Sequence, residues 1–174
     1  MARTGPTEPI LSIDPDGVDG ETFRATLARW ASGVTILTCR DGDEPVGMTA
    51  SSFSSLSLDP PLVLACIGNR SQAHDPLVGA SGFIVHVLSR DQEDLSGTFA
   101  RPGPEKFGAT GDVHGPFGAP LLPLGVARLA CAHEAALPGG DHTILVGRVV
   151  AAEHTGAPPL LYADRGYRSL ADEG

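Results

Sequence analysis

The sequence has no dense cluster of lysine or arginine and is instead rich in acidic residues. It contains 12 Lys and Arg against 21 Asp and Glu, which gives a formal net charge of -9. Nucleic acids and anionic membranes attract basic surfaces, so neither is expected as a main partner. No apolar stretch approaches the roughly 20 residues that span a bilayer, and the N-terminus lacks the basic start and hydrophobic core of a secretion signal. We therefore expect a cytoplasmic protein.

Cysteine is also scarce. Cys39, Cys66 and Cys131 lie far apart, each within an apolar run. An odd number of separated cysteines fits a reducing compartment, where buried and unreactive thiols are the expected state. No cysteine pair has zinc spacing, and the six histidines never stand at i, i+4 with a carboxylate base. We therefore expect no metal site.

Three common catalytic and nucleotide-binding motifs are missing. No Gly-x-Gly-x-x-Gly follows a predicted strand, and no Gly-x4-Gly-Lys-Ser/Thr occurs, so neither a Rossmann dinucleotide site nor a P-loop is encoded. No Gly-x-Ser-x-Gly elbow of a serine hydrolase is present either. Any dinucleotide must therefore bind by another arrangement.

The length of 174 residues suggests one domain. Residues 1–18 mix Pro, Gly, Asp and Thr without periodicity, which predicts a flexible N-terminal arm before a domain over 19–174. Asp19 is placed to cap a helix that runs until Gly33, and Ser89 with Gln92 forms a capping box before a helix that ends near Phe99. Between residues 101 and 118 we expect an irregular excursion.

Short strands separated by turn signals make up most of the remaining chain. The predicted strands are Val34 to Cys39, Val46 to Thr49, Leu62 to Ile67, Phe83 to Leu88, and a long hairpin of Val126 to Ala136 with His142 to Glu153, followed by two short strands joined at Asp164 to Gly166. Many short strands with few helices predict an antiparallel barrel.

The segment from Gly47 to Ser71 is the most informative part of the chain. Seven of the eleven residues from Thr49 to Asp59 are Thr, Ser or Asp, and they lead through two prolines into an apolar strand. Hydroxyls and backbone amides at a strand end suit an anionic ligand rich in hydrogen-bonding groups. Arg70 and Ser71 follow the strand, where they predict either a phosphate clamp or simply a loop end with a helix cap.

This segment also resembles a known family. Gly47 to Phe53 together with Leu56 to Val63 is similar to the short-chain flavin reductases that supply two-component flavin-dependent monooxygenases. Other blocks match the family in the same order: Phe23 to Thr38, Phe83 to Leu88, Leu95-Ser96 with Phe99-Ala100, Lys106-Phe107, Gly118 to Leu122, Gly140 to Ile144, and Pro159 to Tyr162. The resemblance covers roughly residues 20 to 170.

The resemblance implies a mainly β fold, namely a Greek-key split β-barrel with two or three short flanking helices, built as a homodimer. It implies an NAD(P)H:flavin oxidoreductase that uses FMN or FAD with NADH or NADPH as co-substrate. Hydride would pass from nicotinamide C4 to flavin N5, and a separate oxygenase component would receive the reduced flavin. The choice between FMN and FAD, and between NADH and NADPH, stays open.

Site residues follow from the same resemblance. His142 is expected at the flavin face, where it would orient the nicotinamide or donate a proton, although its position alone also fits a surface hairpin histidine. Thr49, Ser51 and Ser52 would hydrogen-bond the flavin, and Arg70 and Ser71 would bind its phosphate. The other expected cofactor-binding residues are Gly47, Met48, Ala50, Cys66, Ile67, Gly68, Asn69, Phe99 and Tyr167.

Among these, Phe99 is expected to cover one side of the flavin ring or else to pack in the core, and Tyr167 to border the nicotinamide. Two other functions remain open at this stage. One is a split-barrel flavoprotein oxidase with tightly held flavin, and the other is a non-catalytic flavin-binding module.

Overall fold

The computed structural model describes residues 15–103, 106–108 and 114–170, which form a mainly antiparallel β structure. The strands are β1 Ser32–Gly33, β2 Thr35–Asp41, β3 Glu44–Ala50, β4 Ser54–Leu58, β5 Pro61–Gly68, β6 Gly82–Val87, β7 Ala127–Gly139, β8 His142–His154, β9 Leu161–Ala163 and β10 Gly166–Arg168. The α-helices are α1 Gly20–Leu27, α2 His74–Gly79 and α3 Glu93–Ala100.

Seven of these strands form one sheet in the order β3-β2-β6-β7-β8-β5-β4, and β1, β9 and β10 form a smaller one. All of the strand pairs are antiparallel. The large sheet curls around a shared core that receives Leu37, Val63, Ile67, Phe83 and Leu145 from four different strands. Its edge strands β3 and β4 lie at opposite ends of the order, so the curled sheet is an open barrel. The expected split-barrel class is confirmed.

The hairpin of β7 and β8 is the longest element and turns through only Gly140 and Asp141. Gly140 has a φ of 71°, a backbone conformation that favours glycine. β8 also pairs with β5, and the last pair in that register is Gly68 with His142. The tip of the hairpin therefore lies beside the loop that follows β5.

The predicted helix-capping signals at Asp19 and at Ser89 are confirmed. The Asp19 carboxylate accepts hydrogen bonds from the Glu21 and Thr22 backbone at 2.8 and 2.9 Å. The Ser89 N–H donates to the Gln92 side chain at 3.0 Å, and α3 follows.

The first helix is shorter than predicted. It ends at Leu27 rather than at Gly33, because Ser32 and Gly33 pair with β9 and so leave helical geometry. The residue after β9 also holds the turn that follows the helix, because the Asp164 N–H donates to the Ala28 carbonyl at 2.7 Å. Tertiary pairing here overrides the helical spacing of the apolar residues.

The hydroxyl-rich segment contains a strand that was not predicted from the sequence. Ser54 to Leu58 forms β4, which pairs with β5 at the edge of the large sheet. Ser71 does not cap α2, since Ala73 occupies the cap position; the Ser71 hydroxyl instead accepts a hydrogen bond from the Ala73 N–H at 3.2 Å. Both segments nevertheless lie beside the end of β5.

The predicted excursion at 101–118 is described only in part, because residues 104–105 and 109–113 lie outside the described ranges, as does most of the predicted arm. Within the described part, Phe107 is buried against Phe99 with ring centroids 5.0 Å apart. Pro116–Gly118 forms a single 3-10 turn. No helix in the described ranges has the length and apolar character needed to cross a membrane.

Candidate functional site

A cavity lies where β5 ends and β8 begins. It has a volume of about 460 Å³, and we call it the turn cavity; its lining residues are Gly68, Asn69, Arg70, Ser71, Asp141 and His142. The Asn69 N–H donates to the Asp141 carbonyl at 3.0 Å and so ties the loop after β5 to the hairpin tip. Five of the six lining residues were predicted from the sequence.

His142 is held at the edge of the turn cavity by its neighbour. Its Nδ1 lies 2.7 Å from Asp141 Oδ1, and because a carboxylate only accepts, Nδ1 donates. This hydrogen bond lowers the pKa of the Asp141 carboxyl. The Nε2 atom turns toward Gly68, where an added Cβ would stand 3.6 Å away. The imidazole is therefore oriented, while 46% of the side chain stays exposed to a ligand.

Three cations surround a second cavity of about 360 Å³, which we call the cation cavity. Arg70, Arg101 and Lys106 line it together with Met48 and Thr49. Arg70 and Ser71 belong to both cavities, so the two adjoin.

Lys106 is positioned by the backbone around it. Its Nζ donates to the Gly47 carbonyl at 3.1 Å and approaches the Phe99 carbonyl at 3.5 Å, and burial lowers the pKa of its ammonium group. Lys106 lies in one of the blocks that resemble the family, but no role was predicted for it. Arg101 was not predicted as a site residue, because nothing local distinguishes an arginine that follows a helix.

A third cavity, of about 450 Å³, lies between α1 and the start of β4, and we call it the helix-side cavity. Ser51, Ser52 and Phe53 line one side, and Trp30 and Tyr162 line another. In the described part of the chain, no hydrogen bond uses the N–H of Ser51 or of Ser52. Ser51 and Ser52 are exposed residues that directly follow β3. Trp30 was not predicted as a site residue.

Two of the predicted hydroxyl donors are already committed to the protein. Thr49 Oγ1 donates to the Ser96 carbonyl at 2.7 Å, and Ser52 Oγ bridges the Cys66 N–H and carbonyl at 3.0 Å each. Neither hydroxyl has a hydrogen left to donate, so these two side chains shape the strand end. A ligand would meet backbone groups and the Ser51 hydroxyl instead.

Three of the predicted cofactor-binding residues are buried, since Ala50, Ile67 and Phe99 are 6%, 0% and 1% exposed and pack in the core. The ring of Phe99 packs against Phe107, and the residue also lines the cation cavity. Gly47 accommodates that ring, since an added Cβ would approach Phe99 to 2.6 Å. These residues set the shape of the site from behind.

The remaining predicted residues lie at intermediate depth. Met48 lines the cation cavity and accepts a weak hydrogen bond from the Ser71 hydroxyl at 3.8 Å. Cys66 is half-buried on β5, whereas burial raises the thiol pKa of Cys39 and of Cys131 to about 12. The Tyr167 hydroxyl donates to Ser96 Oγ at 2.9 Å. The rings of Tyr167 and Tyr162 pack edge to face, with their centroids 5.6 Å apart. Tyr167 thus supports a wall of the helix-side cavity through Tyr162.

Two further features bear on where the site lies: the groups that could hold a metal ion, and a cavity on another part of the sheet. The described residues contain no group of three or more His, Cys, Asp or Glu that is arranged to hold a metal ion. A further cavity of about 290 Å³ is lined by Ile84, Leu121, Arg128, Ala130 and Ala151, among others, and by no predicted site residue. Arg128 is already bound there to Glu153 and to the Leu122 carbonyl.

Comparison with known proteins gives a match over most of the chain. Residues 27–171 match the family model described as "Flavin reductase like domain". The reductase component of 4-hydroxyphenylacetate 3-monooxygenase from Thermus thermophilus is 44% identical over 152 residues, which cover 86% of this chain and 96% of that protein. An NADH-dependent FMN reductase from Agrobacterium fabrum is 40% identical over 86% of this chain and 85% of its own length. By contrast, the chain spans 48% of a longer relative from Rhizobium meliloti, with which it is 39% identical.

Solved structures agree with these relatives. The NADH:FAD oxidoreductase of Streptomyces globisporus, determined in complex with NAD and FAD fragments, superposes with a TM-score of 0.85 at 36% identity, covering 94% of this chain and 98% of that one. The flavin reductase component of a bacterial two-component tryptophan halogenase gives 0.80 at 37% identity, over 89% of this chain and all of the other. With its open barrel, its strand-end cavities and these matches, the chain belongs to the flavin reductase like domain family.

Proposed function

We propose that the protein is an NAD(P)H:flavin oxidoreductase that supplies reduced flavin to a partner monooxygenase. The observation that carries the proposal is the joining of two cavities at Arg70 and Ser71, with cations on one side and an oriented imidazole on the other. A flavin phosphate and a nicotinamide need these two environments close together.

The donors at the site fit FMN or FAD. Arg70, Arg101 and Lys106 supply positive charge where a phosphate binds, and arginine offers a planar fork to its oxygens. The exposed amides of Ser51 and Ser52 supply neutral donors suited to the polar edge of a flavin ring. The Ser51 hydroxyl adds another.

The residues around the turn cavity fit a nicotinamide. When bound, the flavin supplies the acceptor for the hydride of the reduced nicotinamide. The chain itself orients the rings, and His142 is the candidate for this task because Asp141 fixes its imidazole while Nε2 stays available. Because no Rossmann motif is encoded, the dinucleotide binds largely over the flavin. The relatives named as NADH-dependent favour NADH over NADPH.

The oxygenase partner is proposed from the relatives, several of which are named as reductase components of monooxygenases. The three free cysteines fit the reducing environment of the cytoplasm, where we place the protein.

We also propose a homodimer, because large apolar side chains are exposed on α1, on the turn after it and on the edge strand β4. On α1 and the turn after it, Phe23, Leu27 and Trp30 are 55%, 48% and 75% exposed, and on β4 Leu58 is 94% exposed. Monomers seldom expose such a group together. Sedimentation should give twice the chain mass, and Leu58→Glu should halve it, whereas Leu124→Glu, at another exposed leucine, should not. A monomeric wild-type protein would contradict the proposal.

The test of the activity is anaerobic mixing of the purified protein and FMN or FAD with NADH or NADPH. We expect the flavin absorbance to bleach at a rate far above that of a protein-free mixture. A colourless protein that turns over added flavin supports a reductase, and a yellow protein with slow NADH oxidation would indicate a non-catalytic module. Absence of bleaching with either flavin and either nucleotide would overturn the proposed activity.

A further inference from the structure

His74 lies at the start of α2 and joins this helix to the hairpin. Its side chain is 17% exposed, its Nδ1 lies 2.7 Å from Asp75 Oδ1, and its Nε2 lies 2.8 Å from Thr143 Oγ1. Thr143 directly follows His142 on β8. His74 itself does not line the turn cavity. Its contacts therefore reach the site from behind.

The contact continues into the loop after β5. Thr143 Oγ1 donates to Asn69 Oδ1 at 3.2 Å, and Asn69 Nδ2 approaches the Gly140 carbonyl at 3.4 Å. The Asn69 N–H donates to the Asp141 carbonyl at 3.0 Å. A continuous chain of side chains thus runs from α2 through β8 and back to the loop that carries Arg70.

The direction of each hydrogen bond can be assigned from donor counts. The Asn69 amide must place its NH₂ toward the Gly140 carbonyl, which leaves its oxygen facing Thr143. Thr143 has one hydroxyl hydrogen and gives it to that oxygen, so Thr143 accepts from Nε2–H of His74. The Asp75 carboxylate accepts from Nδ1–H.

We propose that His74 is a positioning residue for the reaction, and that its Nε2–H bond to Thr143 holds the phosphate-side loop Asn69 to Ser71 in register with Asp141 and His142. This inference rests on the proposed function. Hydride transfer depends steeply on the relative placement of donor and acceptor, so a small shift between the loop and the hairpin tip slows it without removing either binding group.

Two isosteric substitutions separate the two ring nitrogens. The amide nitrogen of His74→Gln falls near Nε2 and keeps a donor for Thr143, whereas that of His74→Asn falls near Nδ1 and does not. We expect His74→Ala and His74→Asn to slow single-turnover flavin reduction about tenfold at saturating NADH, with flavin affinity within about twofold of wild type. His74→Gln restores the rate. His154→Ala, at the opposite end of β8, serves as the matched control.

A double-mutant cycle tests whether the effect passes through Thr143. Thr143→Val should slow reduction about as much as His74→Ala, and the double variant should lose no more than either single variant. Additive losses would show that His74 and Thr143 act separately. Equal rates for the Gln and Asn variants would overturn the role of Nε2.

A second measurement does not depend on activity. The exchange rate of the Asn69 backbone amide, followed by NMR, should rise at least about tenfold in His74→Ala and return in His74→Gln. If the wild-type protein failed to reduce flavin, the proposed function would be wrong. The exchange measurement would still test whether His74 stabilises the loop that contains Asn69. An Asn69 amide that exchanges at the wild-type rate in His74→Ala would overturn the positioning role.

Discussion

Arg70 contributes one guanidinium to two cavities, and in the described part of the chain it forms no ion pair. Such a charge is available to a ligand phosphate. Arg70→Ala is expected to weaken FMN binding by about 1.5–3 kcal/mol, roughly ten- to a hundredfold, and riboflavin binding far less. Fluorescence titration with both flavins measures this, with Arg148→Ala as the control at an exposed cation outside these cavities. Equal losses for the two flavins would show that Arg70 does not contact the phosphate.

His142 should act on the nicotinamide rather than on the flavin. His142→Ala is expected to raise the KM for NADH and to slow flavin reduction tenfold or more, because an oriented hydrogen bond to the ring is lost. Flavin affinity should stay nearly unchanged. His142→Gln restores a donor near Nε2, so a recovered rate with an altered pH profile would assign a further proton-donor role. If the alanine variant reduced flavin at the wild-type rate, His142 would be a surface histidine without a role in the reaction.

His86 makes folding sensitive to acid. It is 2% exposed, and burial together with the charge of its cross-strand partner Arg128 lowers its pKa from 6.5 to about 3. Thr38 Oγ1 gives its hydrogen to the Pro120 carbonyl, so Nε2–H of His86 donates to Thr38 at 3.1 Å and Nδ1 is left without a partner. The neutral ring is the form that the folded protein holds.

The sign of the pH effect follows from that form. As the pH falls through 6.5, the unfolded chain binds a proton at His86, while the folded chain does not until the pH nears 3. The free energy of unfolding therefore falls across this window, by a few kcal/mol if the shift is fully realised. Urea unfolding from pH 3.5 to 8 should show a smaller fall in His86→Gln, which keeps a donor for Thr38, than in the wild type. Parallel curves would contradict this assignment, and His154→Gln is the exposed control.

At the scale of residues, Arg70 and His142 were identified as candidates because one follows a strand and the other follows a turn, which are local patterns. The role of His142 came from the family resemblance, since its position alone also fits a surface histidine. Arg101 and Trp30 were not, since they reach the site from segments whose relation to it is set only by the folded topology. For Phe99 the sequence left both ring cover and core packing open, because a buried and a ligand-facing aromatic have the same sequence pattern.

At the scale of elements, the long hairpin and the capped helix α3 were predicted well because their signals are strong and local. β4 was not among the predicted strands, because serine-rich edge strands carry little hydrophobic alternation. The early end of α1 depends on pairing between Ser32 and Tyr162, residues far apart in sequence. Long-range pairing of this kind leaves no periodic pattern to read.

The turn after α1 supplies a built-in probe. Trp30 is the only tryptophan in the chain, it is 75% exposed, and it lines the helix-side cavity. Flavin bound near Ser51 and Ser52 should quench its fluorescence through ring proximity. Titration with FMN should give saturable quenching, and its Kd should match the FMN concentration that gives the half-maximal rate of flavin reduction. Trp30→Phe should remove the fluorescence signal while leaving turnover measurable. Emission that stays constant up to saturating FMN would place the flavin away from this cavity.

At the scale of the whole molecule, charge is unevenly distributed. The chain carries a formal net charge of -9, yet three cations meet at one cavity. Binding of an anionic flavin therefore depends on a local field that salt screens. Raising the salt concentration from roughly 50 mM to roughly 500 mM should weaken FMN binding severalfold and leave riboflavin binding nearly constant. Affinities for FMN that do not change with salt would argue against a phosphate at the cation cavity.

The two-residue turn of the β7–β8 hairpin has a consequence for how the chain folds. Closing so short a loop costs little entropy, whereas pairing β2 with β6, or β5 with β8, requires long segments to be brought together first. We therefore expect the hairpin to form early, with Asp141 and His142 already in their turn geometry. Strand β5 would then pair with β8 later, so we expect the two halves of the site to meet after the hairpin has formed.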